Sequence, residues 1–261
     1  MNDSIDFSEV PHLQEILNYL PMNPDDGEDV NNYVQNIANL ITINYKYEQY
    51  QFAYLGIHLL YMTYIYSTTW KISQIESERY KDAIVFARSY NGREKDLKID
   101  EATSIFDYSL IPEKDIARIF KLIDLDKSQI SVVGDFVDIR NEMAHASGKF
   151  EILTEVGFEV KVNSILTSMK LIHKSMNTSI RKWYKRLLLS YCKGEYEDYK
   201  NPADIIEEQI VQSFKISINE LIICNDMSLR ELITEHRNHQ GKLKKFKKVM
   251  TEYCKNMGYT P

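Results

Sequence analysis

An up-and-down helical bundle, all-α apart from one short β-hairpin insertion and extended by extra C-terminal helices, is the fold class that this sequence predicts. Three observations lead there. The 261 residues include only 9 Gly and 6 Pro, too few for a sandwich or barrel that must turn about every 8–12 residues. Apolar residues recur mainly three and four apart, the period of a helix face. Hydrophobic residues make up 44% and charged residues 27%, a balance that can bury a core.

Each element follows from local signals. Residues 11–20 read as a short amphipathic helix, and Pro21 ends it. The stretch 23–29, NPDDGED, forms an acidic turn and cap before a helix that runs from about Glu28 into the 40s. Residues 51–70 carry no charge, yet they hold Gln51, His58, four Ser/Thr hydroxyls and four tyrosines. That is too polar for a membrane span and suits a central helix buried on all sides. Residues 78–89 read as helical, with a turn at Asn91-Gly92. Pro112 opens a helix to about Leu122, and another runs from about Ser128 to Ala146 and stops at Gly148.

The period then changes. Phe150, Ile152 and Thr154 alternate with polar residues, Gly157 supplies a turn, and Phe158, Val160 and Val162 alternate again. This pattern predicts the hairpin. A long helix follows from about Ser164 to Cys192. The polar stretch 193–202, KGEYEDYKNP, suggests a boundary, and residues 203–256 read as two or three further helices. The expected organisation is an acidic arm with a short helix (1–27), a helical bundle (28–195) and a basic helical appendage (203–261).

The net charge of −6 is unevenly spread. Residues 1–45 hold eight acids and no Lys or Arg, whereas residues 230–261 hold eight bases and three acids. Such asymmetry fits intramolecular pairing, separate partners, or simply two solvated surfaces. Cys192, Cys224 and Cys254 are odd in number and widely spaced. They argue against a disulfide framework or zinc site and for a reducing compartment. The polar, acidic start, MNDSIDFSEV, does not resemble a signal peptide. A cytoplasmic location is expected.

The segment FVDIRNEMAH, residues 136–145, carries the chemistry. Val133, Phe136, Val137, Arg140, Met143 and Ala144 fall on one helical stripe. Arg140 thus occupies a place that periodicity gives to an apolar side chain. A buried guanidinium needs an acid, a partner chain or an anionic ligand. Asn141 and His145 are four apart and neighbour each other beside it. A forked cation, an amide and a titratable imidazole suit phosphodiester chemistry.

Arg140, Asn141 and His145 resemble the Rx4–6H motif of the HEPN ribonucleases, where Asn, Asp or His usually follows the Arg. That superfamily includes toxins, abortive-infection proteins, anticodon nucleases and the nuclease parts of RNA-guided effectors. The resemblance implies a homodimer that pairs two motifs in one composite site. It also implies metal-independent RNA cleavage to 2′,3′-cyclic phosphate and 5′-OH ends, with no cofactor. Arg140 would neutralise the scissile phosphate, His145 would act as general base or acid, and Asn141 would position the phosphate or imidazole. The partners it implies are RNA, a second copy of the chain and an antitoxin or other defence-system protein. The role it implies is that of a toxin or anti-phage factor.

Other readings stand beside this one. Asp135 or Asp138 can pair with Arg140 while His145 serves as a helix-terminal cation, leaving a non-catalytic interaction or antitoxin-type module. A nucleotide-binding component of a two-gene system would need its activity from a partner. Arg230 and His236 repeat the spacing, but Glu231 follows that Arg, marking a decoy. His58 and His173 read as core histidines, and His12 has no partner nearby. The weaker RNA-contact candidates are Lys149, then Arg181, Lys182, Lys185 and Arg186 around Trp183-Tyr184, then Lys242, Lys244, Lys245, Lys247 and Lys248. No Gly-rich phosphate loop, nucleophile elbow or metal-ligand signature occurs.

Overall fold

The computed structural model describes residues 7–22, 28–84, 102–144 and 152–259. They are helical, and the sole β pairing among them is an isolated bridge between Pro21 and Ser217. The chain forms two compact units, residues 1–20 with 27–175, and residues 21–26 with 176–261.

The first unit contains α1 (Leu13–Leu17), α2 (Glu28–Lys46), α3 (Tyr50–Ile75), α4 (Ser77–Ile84), α5 (Glu113–Ile116), α6 (Lys127–Ala144) and the first part of α7 (Glu155–Lys193). A 3₁₀ segment, Ala117–Ile123, prolongs α5, and another spans Ile105–Leu110 behind a Ser104–Asp107 capping box. The uncharged helix is central, as the sequence predicts. α3 touches α1, α2, α4, α6 and both 3₁₀ segments, and it buries residues on every side. Several of its polar groups are satisfied within the protein, whereas the Tyr54 and Thr68 hydroxyls and the His58 ring nitrogens are buried without a hydrogen-bond partner among the described residues. Thr63 and Thr69 donate to the carbonyls of Leu59 and Ile65, each at 2.9 Å. Tyr61 and Ser168 share a 2.9 Å hydrogen bond, and Tyr64 donates to the Met169 carbonyl at 3.0 Å. Buried hydroxyls paired in this way escape the desolvation penalty. No described helix is long and apolar enough to cross a membrane.

Gly56 lets α2 and α3 approach. A Cβ there would lie 2.5 Å from Cγ1 of Ile41, and a β-branched stem has little room to yield.

The β-hairpin is not formed by the described residues. Residues 155–162 belong to α7, and Phe158, Val162, Ile165, Leu166 and Met169 are buried along it. These positions follow the helical spacing of four, three, one and three. The alternation of Phe158 with Val160 mimicked a strand, but Val160 is 60% exposed. Phe150 lies outside the described residues.

The second unit packs α8 (Pro202–Ile205) with its π-helical continuation Ile206–Ser213, α9 (Ile218–Asp226), α10 (Arg230–Glu235) and α11 (Gln240–Asn256) with α7 from Met176 onward. The division therefore falls within α7, not in the polar stretch 193–202. Capping boxes Asn201–Asp204 and Ser217–Glu220 start α8 and α9. Leu243, Phe246, Met250 and Cys254 form the buried stripe of α11.

Candidate active site

α6 begins at a capping box. Asp126 Oδ1 accepts from the Gln129 amide at 2.9 Å, and Gln129 Oε1 accepts from the Asp126 amide at 2.9 Å. With its start pinned, the helix buries Val133, Phe136 and Val137. Phe136 meets the Tyr61 ring edge-on, with centroids 5.3 Å apart. Arg140 follows one turn later on the same stripe, half-buried with 28% of its side chain exposed. Met143 is half-buried, Ala144 is exposed, and Asn141 is half-buried beside Arg140. The described part of the helix stops at Ala144, so His145 and Lys149 lie outside it.

Glu113 holds Arg140. Its Oε2 accepts from Arg140 Nη2 in an ion pair between α5 and α6. His58 of α3, 1% exposed, places Nε2 at 3.8 Å from the same Oε2. That distance lies within ion-pair range but beyond a hydrogen bond. Burial pushes the Glu113 carboxyl upward, yet His58 and then Arg140 outweigh burial and hold it below the usual glutamate range. Arg140 Nε and both His58 ring nitrogens are buried without a hydrogen-bond partner among the described residues.

Neither aspartate expected as the alternative partner takes Arg140. Asp138 pairs with Lys114 at 2.5 Å, and both Asp135 and Asp138 line a groove of about 570 Å³ with Lys114, Arg118, Lys121 and Lys127. Sequence reasoning missed Glu113, although the Pro112-Glu113 step marks a helix start where an acid is favoured.

The expected RNA-contact residues of the second unit are scattered in role. Trp183 stacks on Phe214 with centroids 3.6 Å apart, and Tyr184 is fully buried. Tyr184 therefore fills the core, while Trp183 is half-buried with one ring face against Phe214. Arg181 donates to Asn177 at 2.7 Å, and Lys185 pairs with Glu231 at 3.0 Å. Lys182 and Arg186 are exposed. Lys242 donates to the Cys192 carbonyl at 3.0 Å. Lys244, Lys247 and Lys248 line one cavity, while Lys245 is exposed outside it. Arg230 opens α10 and His236 follows its last residue; Arg230 is exposed, unlike Arg140.

Among the described residues no three His, Cys, Asp or Glu side chains cluster to hold a metal ion. No protein-family model, curated protein or solved structure matches the chain. The site stands on its own residues.

Proposed function

We propose that this chain is a metal-independent endoribonuclease of the HEPN type, acting in the cytoplasm as a toxin or anti-phage factor. The observation that carries this reading is the placement of Arg140. A cation sits on an otherwise apolar stripe near the end of α6, fixed by Glu113 and adjacent to Asn141. A guanidinium so positioned can neutralise a phosphodiester and the charge that grows on it in the transition state. His145, four positions after Asn141 in the sequence, removes the 2′-OH proton. The O2′–P bond then forms as the P–O5′ bond breaks, and an imidazolium returns a proton to O5′. A two-fold homodimer supplies both imidazoles. Val156 and Val160 support such a contact, because both are exposed one turn apart at the start of α7, with exposed Ile152 just before it. An antitoxin or other defence-system protein remains part of the proposal as a partner.

Incubating total RNA with wild type, Arg140→Ala and His145→Ala in excess EDTA tests the reading. Wild type leaves 2′,3′-cyclic phosphate ends, both variants lose cleavage with unchanged helicity, and DNA is spared. Intact RNA with wild type, or full activity in His145→Ala, overturns it.

One observation favours a second reading, a non-catalytic helical interaction module. Glu113 already neutralises Arg140, as a purely structural ion pair would. That reading expects Arg140→Ala to change stability or partner binding with no RNA cleavage to lose.

A further inference from the structure

α11 has a second stripe besides the one it buries. Lys244, Lys247, Lys248, Thr251 and Lys255 follow at offsets of three, four, seven and eleven residues, so they share one face. This face walls a cavity of about 780 Å³, completed by residues 225–229 and Ile233. The apolar side of the cavity is Met227, Leu229 and Ile233, against which lysine stems can lie with their ammonium groups outward.

Three of the four lysines on this face make no ion pair among the described residues. Lys248 stands 3.9 Å from Glu252. No ion pair or side-chain hydrogen bond engages Lys244, Lys247 or Lys255 among the described residues. Lys247 is half-buried, and burial holds its ammonium below the usual lysine range, against a weaker pull from Asp226. Four lysines face two acids, Asp226 and Glu252, in the cavity lining. The groove beside α6 differs. There Lys114 pairs with Asp138 at 2.5 Å, Arg118 pairs with Asp115 at 3.1 Å, and Lys121 donates to the Leu125 carbonyl at 3.5 Å.

We propose that the groove formed by α11, residues 225–229 and Ile233 binds the backbone of single-stranded RNA, with Lys244, Lys247 and Lys255 on its phosphates. The choice of RNA rests on the ribonuclease reading above; the anionic character of the ligand rests on the groove itself. A strand fits better than one compact phosphate. From Lys244 to Lys255 the row of amines runs about 16 Å along the helix, at 1.5 Å per residue, so successive phosphates meet successive lysines. The aliphatic wall contacts bases without reading their edges, which makes binding tolerant of sequence. Lys242 and Lys245 lie outside this groove.

The test uses the full chain and a fluorescein-labelled short oligouridylate bearing 2′-O-methyl groups, which lacks the nucleophile and stays intact. Fluorescence polarisation is read between about 50 and 200 mM salt. Lys244→Gln/Lys247→Gln/Lys255→Gln lowers affinity at least about tenfold and reduces the salt slope by about 2, near 0.7 per lost phosphate contact on a single strand. Lys174→Gln/Lys193→Gln/Lys200→Gln removes the same charge from exposed positions and leaves affinity within about threefold. If the first variant misfolds, Lys244→Gln/Lys255→Gln, changed only at exposed positions, replaces it and should show a slope reduction of about 1.4. Equal losses in groove and control variants overturn the proposal, as does no binding by wild type. Binding of adenosine triphosphate without binding of the oligonucleotide overturns it too. Binding that is lost in the groove variant, by a chain that cuts no RNA, keeps the groove and removes the ribonuclease reading. Cleavage with unchanged affinity in the groove variant does the reverse.

Discussion

Glu113 and Arg140, twenty-seven positions apart in the chain, are joined by an ion pair that ties the start of α5 to the last turn of α6. The same carboxylate stands 3.8 Å from Nε2 of the buried His58 on α3. Three helices thus converge on one acid, and the direction in which Arg140 points depends on it.

Removing that acid leaves Arg140 partly buried and uncompensated. Glu113→Gln should lower stability at neutral pH by about 2 kcal/mol, less than for a fully buried pair because Arg140 is partly exposed. The pH dependence has a definite sign. A carboxyl whose folded pKa lies below its unfolded value contributes stability above the unfolded value, and that contribution is lost as pH falls through the folded one. Denaturation midpoints of wild type and Glu113→Gln should therefore differ most at neutral pH. They should converge below the usual glutamate range of about 4.3. A constant gap down to strongly acidic pH contradicts the ion pair.

Much of this was legible in the sequence, for physical reasons. Charge-free residues 51–70 announced a helix buried all round because a helix with no polar face must be covered. The stripe Val133, Phe136, Val137 and Arg140 was legible because its positions recur at the helical period over two turns. Glu113 was not, since the pair it makes spans twenty-seven positions and no local rule carries that distance. The hairpin was misread for another reason. Phe158 and Val162 at a spacing of four are compatible with both patterns once the exposed Val160 is counted as apolar. Trp183 was misread because its flanking bases suggested a surface, while Phe214, thirty-one positions later, covers one face of its ring.

The exposed valines of α7 give a test of assembly. Val156 is 70% and Val160 60% exposed, and a homodimer that closes over them should not tolerate buried charge. Val156→Glu/Val160→Glu should shift the sedimentation mass from two chains to one and abolish RNA cleavage, with little change in helical content. A wild-type mass of one chain at micromolar concentration, with cleavage intact, rules the dimer out.

Gly56 offers a test of the α2–α3 packing. Gly56→Ala should destabilise by about 1–3 kcal/mol through overpacking against Ile41. Ile41→Ala removes the Cγ1 that a Cβ at Gly56 would meet, and Gly56→Ala should cost less in that background. A double-mutant cycle by denaturant melts measures the coupling. Additive losses would show that the two side chains do not meet.

The thiols can report on the second unit alone. Cys192, Cys224 and Cys254 all lie in its residues and are buried. Burial raises each thiol above its usual pKa, that of Cys254 to about 11. Since thiolate is the nucleophile, iodoacetamide near pH 8 should leave the native chain unmodified until this unit opens. Labelling should then become measurable at the denaturant concentration where the second unit unfolds, even if the first retains its ellipticity. Mass spectrometry should show all three sites gaining label together, because they are distributed across α7, α9 and α11 of one core. Rapid labelling of any one thiol in the native chain would place that cysteine at the surface and contradict the packing described here.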